Sequence, residues 1–343
     1  MVWMMRILTS PATRLRGAVV GRAERLFAHA DDPLADTLSY AGDLGLFGPD
    51  SITWEIMGDA ASFIGGIRAL LVQAAHPEVA AGVADHSRYR EDPLGRLSRT
   101  SNYVTATSYG AMPEVAAAIA AVRRAHVGVR GISHRGMAYS AGDPALAAWV
   151  HNTLTDSFLV AAERYGPRRL SVAEADRFVA EQAKIGRLMG ATDLPETGAA
   201  LAGWVEDHPA VARSPGMIEA VRFLQDPPLD PAVKLGYQVL ASAAVATLPE
   251  RLRVVLGVKT RPGAVQVGKV AMGSLRWALG SSPRWRVALL RVGAPIAEER
   301  FKQKTPFESL RTGTVPGGVE HPGNELDGSG AHPGAPGQRT LSE

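Results

Sequence analysis

Apolar positions recur three and four apart through most of the chain, as in Val172, Ala175, Phe178 and Val179. This period places one apolar stripe along a helix. Sustained β-branched alternation is scarce, so the pattern favours helices over sheet. It predicts helices near 64–75, 77–86, 93–108, 113–129, 144–165, 171–189, 197–206, 215–225 and 231–247, with one or two more between 270 and 300. The starts share a device: Asp92-Pro93, Asp143-Pro144 and Asp230-Pro231 each set a capping carboxylate before a proline. The aspartate accepts from exposed backbone donors, and proline in the first turn loses no needed hydrogen bond. Ser171 to Glu174 spells a capping box. Short Gly- and Pro-rich connections suit a helical bundle.

Three segments follow from this pattern: a basic N-terminal arm at 1–20, a helical domain at 21–304, and a Pro/Gly-rich tail at 305–343. From Thr312 the tail has too little apolar material to fold, so disorder is expected there, and His321 and His332 are spaced too loosely for a metal site.

Composition narrows the chemistry. The 343 residues are 46% apolar, ample for a core, and include no cysteine. Disulfides, thiolate metal sites, iron–sulfur clusters and catalytic thiols are thereby excluded. No run of about 18 uncharged apolar residues suggests a transmembrane helix, and the first residues make a poor signal peptide. A cytoplasmic location is the expectation. The net charge of +3 conceals an asymmetry: from Arg251 to Lys304, twelve Lys/Arg stand against Glu298 and Glu299, a net of +10. Interleaved with Trp277, Trp285, Leu289 and Leu290, this segment is either a solvated basic face or a peripheral membrane contact. No nucleic-acid-binding motif accompanies the charge, so nucleic acid is not an expected partner.

The candidate chemistry concentrates between Gly65 and His151. Arg123, His126 and Arg130 share one face if the helix runs to 129. Two flanking guanidinium groups disfavour protonation of His126, and a neutral imidazole is what a metal requires. Pattern alone leaves His126 open between a ligand and a surface or packed residue. Arg96 and Thr100 are four apart on the helix begun by Pro93, with Arg99 beside them. That element reads either as a pocket wall or as a salt-bridged face using Glu91 and Asp92. His76 and His86 flank a helix without zinc spacing, and structural roles are expected for both. His134 and His151 follow, and Tyr103, Tyr109 and Tyr139 are pocket-edge or core residues. Gly65-Gly66 opens an apolar helix and is expected to allow close packing. No HExxH, Walker A, GxSxG or GxGxxG element appears in context.

The run GGIRALLVQAAHPEVAAGVADHSRYREDPLGRLSRTSNYVTATSYG, with His126 downstream, resembles the catalytic domain of the MpaB-type oxygenases, the family that includes the bacterial latex-clearing proteins. The resemblance extends from about Trp54 to Trp285. It implies an all-α globular bundle with a globin-like haem-pocket core and a b-type haem. It implies His126 as the proximal iron ligand followed by Arg130, with Arg96 and Thr100 lining the distal side. Arg99, Arg123 and Arg130 become candidate cofactor contacts, and His151 a second candidate ligand. One departure matters: latex-clearing members carry a lysine immediately before the threonine, and here Arg99 stands there. Arginine stays protonated and offers no lone pair to iron, which weighs against rubber as the substrate. The implied activity is attack by dioxygen on an apolar small molecule or lipid. Two alternatives stay open: a haem protein without turnover, and a helical lipid- or membrane-surface protein that has lost the cofactor.

Overall fold

The computed structural model describes residues 31–296 together with Gly17 and Gly21. The basic arm, Gly17 apart, and the tail expected from the sequence lie outside those residues. The fold is all-α: the described residues form thirteen α-helices, a short 3-10 turn at Thr37–Ser39 and one two-stranded hairpin. The helices are α1 (Ile52–Gly58), α2 (Ala61–Ala74), α3 (Pro77–His86), α4 (Pro93–Tyr109), α5 (Met112–His126), α6 (Pro144–Tyr165) and α7 (Val172–Leu188). They continue with α8 (Gly198–Glu206), α9 (Pro215–Gln225), α10 (Pro231–Val245), α11 (Glu250–Leu256), α12 (Ala264–Leu279) and α13 (Pro283–Arg291). The hairpin, β1 (Arg130–Ile132) and β2 (Ala138–Ser140), is antiparallel with Gly131 opposite Tyr139.

The predicted caps are made. Asp92, Asp143 and Asp230 accept from the amides of Gly95, Ala145 and Ala232, and Ser171 and Glu174 close a reciprocal box. Two short helices escape the periodicity: α1, only seven residues capped by Ser51, and α11, also seven residues, ended by Gly257 with φ of 69°. Two turns of helix are too few to establish a period.

Helices α2 and α6 form the central pair. Gly65 makes this possible: a Cβ there would lie 2.7 Å from Phe158 Cδ1 and 3.1 Å from its Cα. The main core gathers Leu71, Val72, Trp149, Phe158, Phe178, Leu201, Met217 and Leu252 around that pair. A second cluster joins Trp54, Tyr109, Trp285 and Leu289, with the Trp54 and Tyr109 rings edge-on at 5.6 Å. A third seats α10 and α12 through Ala243, Ala244 and Met272.

Buried ion pairs fasten the ends. Arg68 on α2 meets Asp156 on α6 at 2.5 Å and Ser157 at 2.8 Å. Arg276 grips Asp59 with two hydrogen bonds of 2.6 and 2.7 Å. Arg291, enclosed in the second cluster's neighbourhood, donates to Thr37 and the Asp43 carbonyl. These pairs revise the charge reading of 251–304. Arg276, Arg284, Arg286 and Arg291 are spent on internal bonds, including those of Arg284 to Thr105 and Asn102 and of Arg286 to Ser281. No helix of the described residues is long and apolar enough to cross a membrane.

Candidate functional site at the open end of a helical hairpin

Helices α4 and α5 are joined by Gly110 and Ala111 alone and pack against each other. So short a connection keeps the two helices in contact near their junction. Arg96 lies fourteen residues before Gly110, and His126 fifteen after Ala111. At about 1.5 Å per residue each sits roughly 20 Å along its own helix from the turn.

Each helix carries a stripe that changes from closed to accessible away from the turn. On α5, Val115, Ile119, Val122 and His126 share one face. Val115 is 1% and Ile119 8% exposed, Val122 is half-buried, and His126 is exposed. On α4, residues Thr105 to Tyr109 are all buried, whereas Arg96 and Tyr103 keep accessible surface. Arg96, Thr100, Tyr103, Val104 and Thr107 fall on one side of α4 by helical spacing. Val104 packs against the main core.

The electrostatics of this end are unusual. Burial lowers the Arg96 guanidinium below the usual arginine range, with Arg99 adding to the effect and the nearby Tyr89 opposing it. Among the described residues no carboxylate pairs with Arg96. Burial also pushes the Tyr103 hydroxyl well above the usual tyrosine range and lowers the His126 imidazole. These groups are crowded by neighbouring protein atoms yet remain accessible. His126 therefore presents a ring whose neutral form is favoured, and Arg96 a cation without a carboxylate partner among the described residues.

Helix α2 has an open flank of its own. Beside Gly65, tight against Phe158, stands Gly66, where an added Cβ would meet nothing within 4 Å. Phe63, Ile67 and Leu70, spaced about one turn apart around it, are only partly buried. The glycine pair thus divides its work: one permits close packing and the other borders open space.

The remaining candidates disperse. Helix α5 ends at His126 and Arg130 begins β1, so Arg123, His126 and Arg130 do not share a helix face as the longer predicted helix required. Val127 and Gly128 make a turn, and glycine at that point ends the helix early. Arg123 and Arg130 are exposed. Arg99 points outward and pairs with Asp92 at 3.2 Å. Thr100 donates to the Arg96 carbonyl at 3.0 Å, which leaves its oxygen able to accept but not to donate without rotating. His151 is sealed between α6 and α7. A Cβ on Gly186 would lie 2.7 Å from its ring, and burial holds its imidazole at about 4. The structure does not bring it to the hairpin.

His76 stands at the N-cap of α3 without a capping bond, buried beside Glu78. Its ring neighbours Trp149 and His208, and burial holds it at about 4. Glu78 is held by Ser133 and Arg135. Sequence reading missed Arg135 and His208, since both join this cluster across long separations that no local spacing records. His86 Nε2 donates to the Arg130 carbonyl, 3.2 Å away, the structural role expected. Tyr139 bonds Asp85 at 2.5 Å, Tyr109 lies in the core and His134 is exposed. Among the described residues no group of three or more His, Asp or Glu is arranged to hold a metal ion.

Residues 54–277 match the family model described as the ER-bound oxygenase mpaB/B'/rubber oxygenase catalytic domain. The chain belongs to this family. The match spans α1 to nearly the end of α12 and contains every candidate just described. No curated protein and no solved structure matches the chain. An oxygenase is thus what membership in the mpaB/rubber oxygenase family points to.

Proposed function

We propose that the chain is a haem b-dependent oxygenase acting on an apolar substrate, an isoprenoid or unsaturated lipid, with dioxygen. The observation that carries this reading is the state of two groups on the α4–α5 pair. His126 offers an accessible imidazole whose protonation burial disfavours, and Arg96 offers a crowded guanidinium with no carboxylate partner among the described residues.

The residues suit a haem. A single neutral imidazole is sufficient protein ligation for a b-type haem, and His126 supplies one. Haem brings two propionates and, when reduced, binds oxygen. Arg96 offers five fixed donors to oxygen atoms of either kind. Val104, Ile67 and the open side of Gly66 supply an apolar surround that limits water and admits a hydrocarbon. Haem would supply the iron that activates dioxygen; the chain's part is to hold it, exclude water and place the alkene. Tyr103, kept neutral by burial, adds a polar edge without a charge. Arg99, turned outward to Asp92, takes no part.

The test is an optical spectrum of the purified, haem-supplemented full chain, followed by oxygen-uptake measurements. A Soret band at one haem per chain is expected, and His126→Ala is expected to lose it while keeping the helical circular dichroism of the wild type. Oxygen uptake that depends on added polyisoprene, carotenoid or unsaturated lipid distinguishes an oxygenase from a haem carrier. A colourless protein, or full haem retention in His126→Ala, overturns the assignment.

A further inference from the structure

The hairpin β1–β2 follows His126 directly and carries a surface that the site above does not use. Its inner face is committed: Tyr139 lies over Gly131 and bonds Asp85 on α3, and His86 meets the Arg130 carbonyl. Strand alternation then turns Arg130, Ile132, Ala138 and Ser140 outward, and all four are exposed. Val127 is 80%, Ile132 72% and Met137 57% exposed, three large apolar side chains within eleven residues. Around them stand Arg123, Arg124 and Arg130, exposed and without a carboxylate partner among the described residues. From Val115 to Gly142 the sequence contains no aspartate or glutamate.

We infer that the end of α5 and the outward face of this hairpin dock on an anionic lipid surface, with Val127 before the strands and Ile132 and Met137 beside the turn entering the apolar boundary, and the three arginines meeting headgroup phosphates. Exposed apolar residues interspersed with cations that have no carboxylate partner among the described residues match such a surface on both counts. A second copy of the chain fits poorly. A two-fold contact would set the same arginines against one another with no local acid to balance them. Scattered exposed apolar residues are ordinary on proteins, but here three fall within one segment that carries three arginines and no acid. The contrast with the 251–304 segment is informative: more cations in sequence, but four of them turned into the protein. The inference stands apart from the haem assignment, since docking requires neither cofactor nor turnover.

The test is co-sedimentation of the full chain with vesicles of phosphatidylglycerol and phosphatidylcholine, compared with pure phosphatidylcholine. Binding is expected only to the anionic vesicles and is expected to weaken in high salt. The variant Arg123→Gln/Arg124→Gln/Arg130→Gln is expected to lower the partition coefficient about a hundredfold. Ile132→Ser/Met137→Ser is expected to lower it about tenfold. Lys259→Gln/Arg261→Gln, on the loop before α12, is expected to leave it unchanged. Because the chain has no cysteine, Ile132→Cys gives a unique attachment point for an environment-sensitive dye, whose emission should shift blue on anionic vesicles. Equal binding to neutral vesicles, absence of binding, wild-type binding by the hairpin variants, or a dimer broken by Ile132→Ser would each overturn the inference. Haem content and oxygen uptake are read separately, so loss of one property does not mimic loss of the other.

Discussion

The α2–α6 interface and the open end of the α4–α5 hairpin use the same residue types to opposite ends. In the first, Arg68 is enclosed with Asp156 and Ser157 and Gly65 brings the helices into contact, while α6 also packs His151 against Gly186 of α7. In the second, Arg96 has no carboxylate partner among the described residues and His126 keeps an accessible ring; on α2, Gly66 beside Gly65 borders open space. A buried polar group is tolerable when its partner is built into the fold. Where the partner is missing and the group remains reachable, a ligand can supply it. Histidine and arginine content therefore says little about function until each group's partners are known.

The largest effect is expected on the closed side. Asp156→Ala leaves the Arg68 cation buried without its carboxylate, a change that typically costs about 3–5 kcal/mol. Urea denaturation is expected to show that loss, whereas Arg68→Met/Asp156→Leu, which removes both charges and keeps the volume, should recover most of it. If Asp156→Ala unfolds at the wild-type midpoint, the pair is not the closed structural element described above.

Acid should find the same side next. The imidazoles of His151 and His76 are held at about 4 by burial, against an ordinary value of 6.5. The folded state thus favours their neutral forms, and the unfolded chain takes up protons first as pH falls. The stabilisation is complete above pH 6.5 and is lost progressively between 6.5 and 4. A fall of that size corresponds to about 3 kcal/mol per imidazole at most. Melting temperatures across that window should fall steeply for the wild type and less steeply for His76→Gln/His151→Gln. An unchanged slope would mean that neither ring is closed off from protons.

Much of this contrast was legible in the sequence. Asp-Pro starts and helical spacing foretell eleven of the thirteen helices among the described residues, because caps and stripes are local signals. The Gly65-Gly66 pair announces close packing, and the Arg96 and His126 elements carry the family resemblance. What sequence does not record is partnership. Arg96 and Arg68 look alike in the one-letter string, and so do His126 and His151. Their difference lies in Asp156, Ser157 and Gly186, from 35 to 89 positions away for the bonds concerned. The early end of α5 at His126 was also hidden, since Val127-Gly128-Val129 continues the apolar rhythm while the chain turns into a hairpin.

The glycine pair allows a comparison within one helix. Gly65→Ala would drive a methyl into Phe158 and its backbone, an overpacking expected to cost about 1–3 kcal/mol. Gly66→Ala meets nothing and gains helix propensity, so it should stabilise by up to about 1 kcal/mol. Bulk there should be felt by the ligand instead: Gly66→Phe is expected to keep the fold while reducing haem uptake or turnover of the bulkier hydrocarbons. Opposite signs in the two alanine variants sharpen the comparison; equal destabilisation would show that the space beside Gly66 is filled in solution.

The smallest stability effect, and the one that bears most directly on function, is expected at Arg96. With no ion pair to break, and with burial already working against its charge, Arg96→Ala should change the unfolding free energy by about 0.5 kcal/mol or less, in either direction. A fold that gains nothing from a crowded cation has no structural reason to keep one there, so its benefit should appear only when a ligand is present. Oxygen uptake should accordingly drop by at least tenfold in Arg96→Ala and recover little in Arg96→Lys, because an ammonium cannot reproduce the guanidinium fork. Arg99→Ala, which removes only the exposed pair with Asp92, provides the matched control and should leave uptake near the wild-type rate. A large stability loss at Arg96 would place it among the structural arginines after all, and the distinction between the two regions would then rest on His126 alone.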